Sequence, residues 1–318
     1  MSNTDYAYAV GRIRVNETKL LTAADYNQLI SAQSKDAVLK FITDKGWKPD
    51  ANGDIENELE SAWQLVTECV PDVSLLDSLI IGNDFSNLKA CLKAYFSDLE
   101  PEKYMQKPCI TDPDAITEAV KRKDFAPLPD HLRICAEEAY NIYVTHQSGQ
   151  KCETVIDKAS LAQRLSGSEK SGSELLKTVV KLQCFEAAIK IALRCSFTGK
   201  GSEFALEALP DCPGINKQAL TEKSVSTDAV ADYISQTEFS EFSDSISLGF
   251  TAFEKACDEK IFSLLEKSKT AILSPDPVIA YWIRKTFEVK NVRIILSGKA
   301  TGIGADEIRS KLRGIDYV

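Results

Sequence analysis

Ser34-Lys35-Asp36-Ala37-Val38, Asp112-Pro113-Asp114-Ala115-Ile116 and Ser226-Thr227-Asp228-Ala229-Val230 carry one helix-start pattern three times over, and that recurrence decides the fold. In each copy a short oxygen-bearing side chain stands two positions ahead of an Asp-Ala pair and a β-branched residue. The oxygen can accept a hydrogen bond from an orphan amide of the first turn, while the aspartate complements the positive end of the helix dipole. An apolar residue follows four positions on, at Ile42, Val120 and Ile234. Each copy therefore predicts a helix with the same inward face.

Downstream of each start lies an aliphatic-basic pair with a further aliphatic residue three positions after the base: Leu88-Lys89 with Leu92, Ile189-Lys190 with Leu193, and Val292-Arg293 with Leu296. From Lys89 to Lys190 and from Lys190 to Arg293 the spacing is close to a third of the 318-residue chain. This order predicts an all-α fold of three similar helical-bundle domains in tandem, placed at 1–105, 106–222 and 223–318.

Other segments agree with helix. From Asp54, Ile55, Leu59, Ala62, Trp63 and Val66 recur at steps of three and four up to Pro71. Leu176 to Cys195 reads as a long helix stopped near Gly199. A third opens at Asp276-Pro277, read as an N-cap followed by proline at the first helical position, and is expected to end near Ser297-Gly298. Its residues Val278, Trp282, Val289, Val292 and Leu296 share one face. Strand-like alternation is scarce.

Hydrophobic residues make up 44% of the chain and charged residues 27%, the balance of an ordinary globular protein. A net charge of −9 argues against nucleic acid as the main partner, because a phosphate backbone is met by clustered Lys and Arg. Met1 to Val15 lacks the basic and apolar regions of a signal peptide, and no stretch reaches the length of a membrane span. The nine cysteines form no CxxC pair, which argues against a disulfide framework or zinc site and for a cytoplasmic setting.

Chemistry is hard to find. Gly167-Ser168-Glu169-Lys170-Ser171-Gly172-Ser173 has the glycine spacing of a phosphate-binding loop, but Ser173 stands where the lysine is needed, so a flexible linker is expected. Gly302-Ile303-Gly304 lacks the third glycine of a dinucleotide fingerprint. His131 and His146 lack the HExxH spacing of a metal or catalytic pair. Glu186, Lys190 and Arg194, one turn apart, read as a solvated helix face or as a charged lining that meets a partner. Catalytic, cofactor and metal residues are accordingly expected to be none.

The stretch from Tyr281-Trp282-Ile283-Arg284-Lys285 through Asn291-Val292-Arg293 to Ser297-Gly298-Lys299 resembles the C-terminal signature of the family of V/A-type ATPase C subunits, homologous to the eukaryotic d subunit. So do Asn83-Asp84-Phe85-Ser86-Asn87-Leu88-Lys89 and the opening Tyr6-Ala7-Tyr8-Ala9-Val10-Gly11-Arg12. The middle unit departs, with Ala188 where the others carry Asn87 and Asn291, and Glu288 replaces Asp84 in the last unit.

The resemblance implies a funnel of three helical domains about a pseudo-threefold axis. It also implies a non-catalytic central-stalk role, joining stalk subunits D and F to the membrane proteolipid ring for proton or sodium transport, at the cytoplasmic face and without a membrane span of its own. The partner-contact candidates are Asp84, Asn87, Lys89, Lys190, Arg194, Glu288, Asn291 and Arg293. For all of them the competing reading is pairing inside a domain that fixes helix register. A helical scaffold for other partners is the alternative function, though solenoid repeats run at about 20 to 50 residues.

Overall fold

In the computed structural model, which describes residues 6–315, sixteen α-helices and short 3-10 turns account for the architecture, with no strand among the described residues. In chain order they begin with α1 (Ala7–Glu17), α2 (Ala23–Ser31), α3 (Lys35–Asp44), α4 (Asn57–Cys69) and α5 (Ile81–Ser97). Next come α6 (Pro113–Arg122), α7 (Asp130–His146), α8 (Gly149–Lys170), α9 (Glu174–Thr198), α10 (Ser202–Ala208) and α11 (Lys217–Lys223). The chain closes with α12 (Thr227–Ile234), α13 (Ser243–Ser247), α14 (Phe250–Glu266), α15 (Asp276–Thr301) and α16 (Ala305–Lys311).

The three predicted starts open α3, α6 and α12. Ser34 accepts from the Ala37 amide, Asp112 from Asp114 and Ser226 from Ala229, so each cap satisfies an amide that the helix cannot. Val38, Ile116 and Val230 are fully buried one turn in, as are Ile42 and Ile234, with Val120 nearly so.

The chain forms two compact units. One comprises the described residues up to Val73 together with those from Asp258 onward; the other runs from Ser74 to Cys257. In the first, α15 packs against α1, α3, α4 and α16. Its core joins Val289, Val292, Ile295 and Leu296 to Tyr26, Leu29, Val38, Ile42 and Trp47. In the second, α5, α6, α7 and α8 enclose Phe85, Leu88, Leu92, Ile116, Leu132 and Ile156. There α9 lies against α8 and α12.

Three local expectations change. Asp276 is already the first helical residue, and Pro275 holds the cap position without a side-chain hydrogen bond. Gly298 does not end α15, which runs on to Thr301 and stops at Gly302 in the left-handed conformation, φ 73°. Gly298 serves packing instead, since a Cβ there would lie 2.7 Å from the Ile308 side chain.

The stretch Gly167 to Lys170 is no flexible linker but the last turn of α8. A Cβ on Gly167 would come within 3.1 Å of the Ser78 Cβ, so this glycine lets two backbones approach. Ser171 and Ser173 tie the following turn, with the Ser173 amide donating to the Ser171 hydroxyl and the Leu176 amide to the Ser173 hydroxyl.

Candidate partner-contact site

The eight candidates divide by burial. On α5, Asp84 and Asn87 are fully buried. The Asp84 carboxylate accepts the backbone N–H of Ile110 at 2.8 Å and of Thr111 at 2.9 Å. Asn87 makes a reciprocal pair with the backbone of one residue, accepting the Gln106 N–H at 2.6 Å and donating to the Gln106 carbonyl at 3.1 Å. Both side chains therefore hold the segment leading into α6 by its backbone.

On α15 the same device recurs. Asn291 accepts the Arg313 N–H at 3.0 Å and donates to the Arg313 carbonyl at 2.7 Å. Glu288 accepts the Leu21 N–H at 2.5 Å and pairs with the Lys285 ammonium at 2.7 Å. Lys285 also reaches Glu58 at 3.2 Å and lies 4.2 Å from the Trp47 ring centroid, so a buried cation is met by two carboxylates and a π face.

In the middle, α9 carries Phe185 and Ala188 at the equivalent positions, both fully buried. Phe185 stacks on Phe239 with centroids 4.0 Å apart. An apolar contact takes the place of the polar clamp.

Burial pushes the Asp84 and Glu288 carboxyls above their ordinary range. The amide donors oppose the shift in both, and Lys285 opposes it at Glu288. The hydrogen-bonding capacity of these four polar side chains is thus directed into their own unit.

The basic candidates lie nearer solvent. Lys89 is half-buried and ion-paired to Asp157, while Arg293 is exposed and paired to Glu56. Lys190, half-buried, pairs with Glu254 and stands 3.4 Å from Glu186. Arg194 is exposed, its guanidinium 5.6 Å from the centroid of the Phe250 ring. Glu186, Lys190 and Arg194 do lie on one face of α9, and with Glu254 and Phe250 they form a single charged cluster.

Sequence reasoning passed over two groups. Lys285 lies within the C-terminal signature, and its i, i+3 spacing to Glu288 was the available signal. Arg164, on α8, had no local signal, because its neighbours Ser78 and Gln183 come from distant parts of the chain.

Among the described residues no three His, Cys, Asp or Glu side chains are grouped to hold a metal ion. His131 packs beside Phe85 at 5.9 Å, and His146 is exposed at the end of α7. Burial pushes the Cys135 thiol up to about 12 and Cys152 to about 11, which keeps both protonated at neutral pH. No described helix is long and apolar enough to cross a membrane.

Long helices that clamp returning segments by their backbones, with charged faces left outside, define an all-helical protein built for rigid packing. The chain belongs to the ATP synthase (C/AC39) subunit family, whose profile matches residues 9–311. Similar proteins include the C subunit of the V-type sodium ATPase of Enterococcus hirae, 19% identical across 95% of this chain and 96% of its own length. The C subunit of the A-type ATP synthase of Methanosarcina barkeri is 21% identical across 97% and 93% respectively. That of Halorubrum lacusprofundi is 26% identical over 63% of this chain and 58% of its own.

Proposed function

We propose that this chain is the non-catalytic central-stalk subunit of a V/A-type rotary ATPase, coupling stalk subunits D and F to the membrane proteolipid ring for proton or sodium transport. The observation that carries the reading is the family match over residues 9–311, together with relatives that align along nearly their whole length. In that role the protein sits at the cytoplasmic face, attached to the membrane through its partners.

A part that transmits torque needs helices that keep their register under load. The clamps at Asp84, Asn87, Glu288 and Asn291 support this, since each ties a long helix to a returning segment. These four hold the scaffold, and Lys89, Lys190, Arg194 and Arg293 meet partners from it. The shared clamp on α5 and α15, and the three capped starts, also support a tandem organisation at 1–105, 106–222 and 223–318.

Purification of the detergent-solubilised complex through a tag on this chain tests the proposal. The proteolipid ring and the stalk subunits should copurify; recovery of neither rejects it.

A further inference from the structure

Between α8 and α9, within the second unit, runs an open trough. Asp157, Leu161 and Arg164 line it from α8, and Gln183, Ile191 and Arg194 from α9, at the spacings of a single helix face. Two cavities of 420 and 290 Å³ share Asp157, Leu161, Ile191 and Arg194, so they are one continuous depression that extends to Phe204.

Its charges do not balance. Asp157 is taken by Lys89, and Glu186 and Glu254 are both met by Lys190. Arg164, half-buried, meets only neutral acceptors: its Nε donates to the Ser78 carbonyl at 3.4 Å and its terminal nitrogen to the Gln183 side-chain oxygen. Arg194 rests against Phe250. Neither guanidinium has a carboxylate within ion-pair reach among the described residues. Burial pulls Arg164 below its ordinary value, and the group that acts the other way is the Cys184 thiol, not a carboxylate.

A guanidinium presents five donors in a fork that fits a carboxylate, and withdrawing one from water without an anion is costly. Arg164 and Arg194 therefore lack an anion of their own. Its length, and the half-buried Leu161, Ile191 and Phe204 beside the cations, suit an extended amphipathic segment better than a compact ion.

We infer that the α8–α9 trough receives a carboxylate-bearing amphipathic segment of a stalk partner, whose acidic side chains meet Arg164 and Arg194 while its apolar ones lie on Leu161, Ile191 and Phe204. This rests on the proposed stalk function and adds to it the face and the chemistry of one contact.

The test is the affinity of the full-length chain for purified stalk subunits D and F, at low and at physiological salt. Arg194→Glu should weaken binding about tenfold and flatten its salt dependence, because charge complementarity across an interface governs both. Arg164→Gln should weaken it several-fold while leaving the melting temperature unchanged or raised, since it removes an uncompensated cation. Arg194→Lys should recover most of the loss seen with glutamate. If the wild-type chain binds D and F and both variants bind as tightly with the same salt dependence, the trough assignment is overturned and the stalk function stands. If the wild-type chain binds neither, the stalk function itself is rejected.

Discussion

At the scale of single residues, asparagine explains more than charge does. Asn87 and Asn291 each use one amide to satisfy both the N–H and the carbonyl of one distant residue, which a carboxylate or a lysine cannot do. Removing the side chain strands two partly buried backbone groups, so Asn291→Ala should lower the unfolding free energy by about 1–3 kcal/mol, read from urea titration. His131 adds a pH dependence. Its Nε2 is buried without a hydrogen-bond partner, and burial holds the imidazole below its ordinary value against the opposing carboxylates of Asp84 and Asp130. As pH falls below about 6.5 the unfolded chain takes up this proton first, so stability declines until the folded imidazole protonates as well. His131→Leu should flatten that decline between about pH 7.5 and 5.5, and an identical slope in both proteins would reject the assignment. The sequence showed Asp84, Asn87, Glu288 and Asn291 as a polar pattern but not as inward-facing. Their partners Ile110, Gln106, Leu21 and Arg313 contribute backbone atoms, which leave no mark in side-chain identity.

At the scale of helices, the caps were legible and some ends were not. Ser34, Asp112 and Ser226 act locally, within three residues of the amides they satisfy, so pattern alone located α3, α6 and α12. Ser34→Ala or Ser226→Ala should each cost about 1 kcal/mol in a thermal or urea melt. Gly298 and Gly167 misled because glycine marks both a helix end and a close approach between elements, and only the neighbour, Ile308 or Ser78, distinguishes the two. Gly298→Ala should therefore destabilise despite the better helix propensity of alanine, and Ile308→Ala, which removes both atoms 2.7 Å from the added Cβ, should make the two losses less than additive. An alanine variant as stable as wild type would show that Ile308 moves aside freely. On α9 the stack of Phe185 on Phe239 carries what the asparagine clamps carry on α5 and α15, and Phe185→Ala should cost about 3–5 kcal/mol by opening a cavity.

At the scale of the whole molecule, the tandem pattern and the observed units divide the chain differently. Similar helix starts recur along the sequence, but contact density groups the described residues up to Val73 with those from Asp258 onward. The reason lies in α15, which supplies Val289, Val292 and Ile295 to a core shared with residues from Leu21 to Ile55, at the opposite end of the chain. Periodicity along the sequence records how an element starts and faces, and carries no information on which distant element it meets. Two cores with separate memberships should respond separately to mutation. Asn87→Ala should raise amide hydrogen exchange around Phe85, Leu92 and Ile116, and Asn291→Ala around Leu29, Ile42 and Val292, each leaving the other set unchanged. The two sites share no partner, so the double variant should lose the sum of the single losses to within about 0.5 kcal/mol. A larger departure from additivity, or exchange that rises in both sets at once, would mean that the units open as one cooperative body.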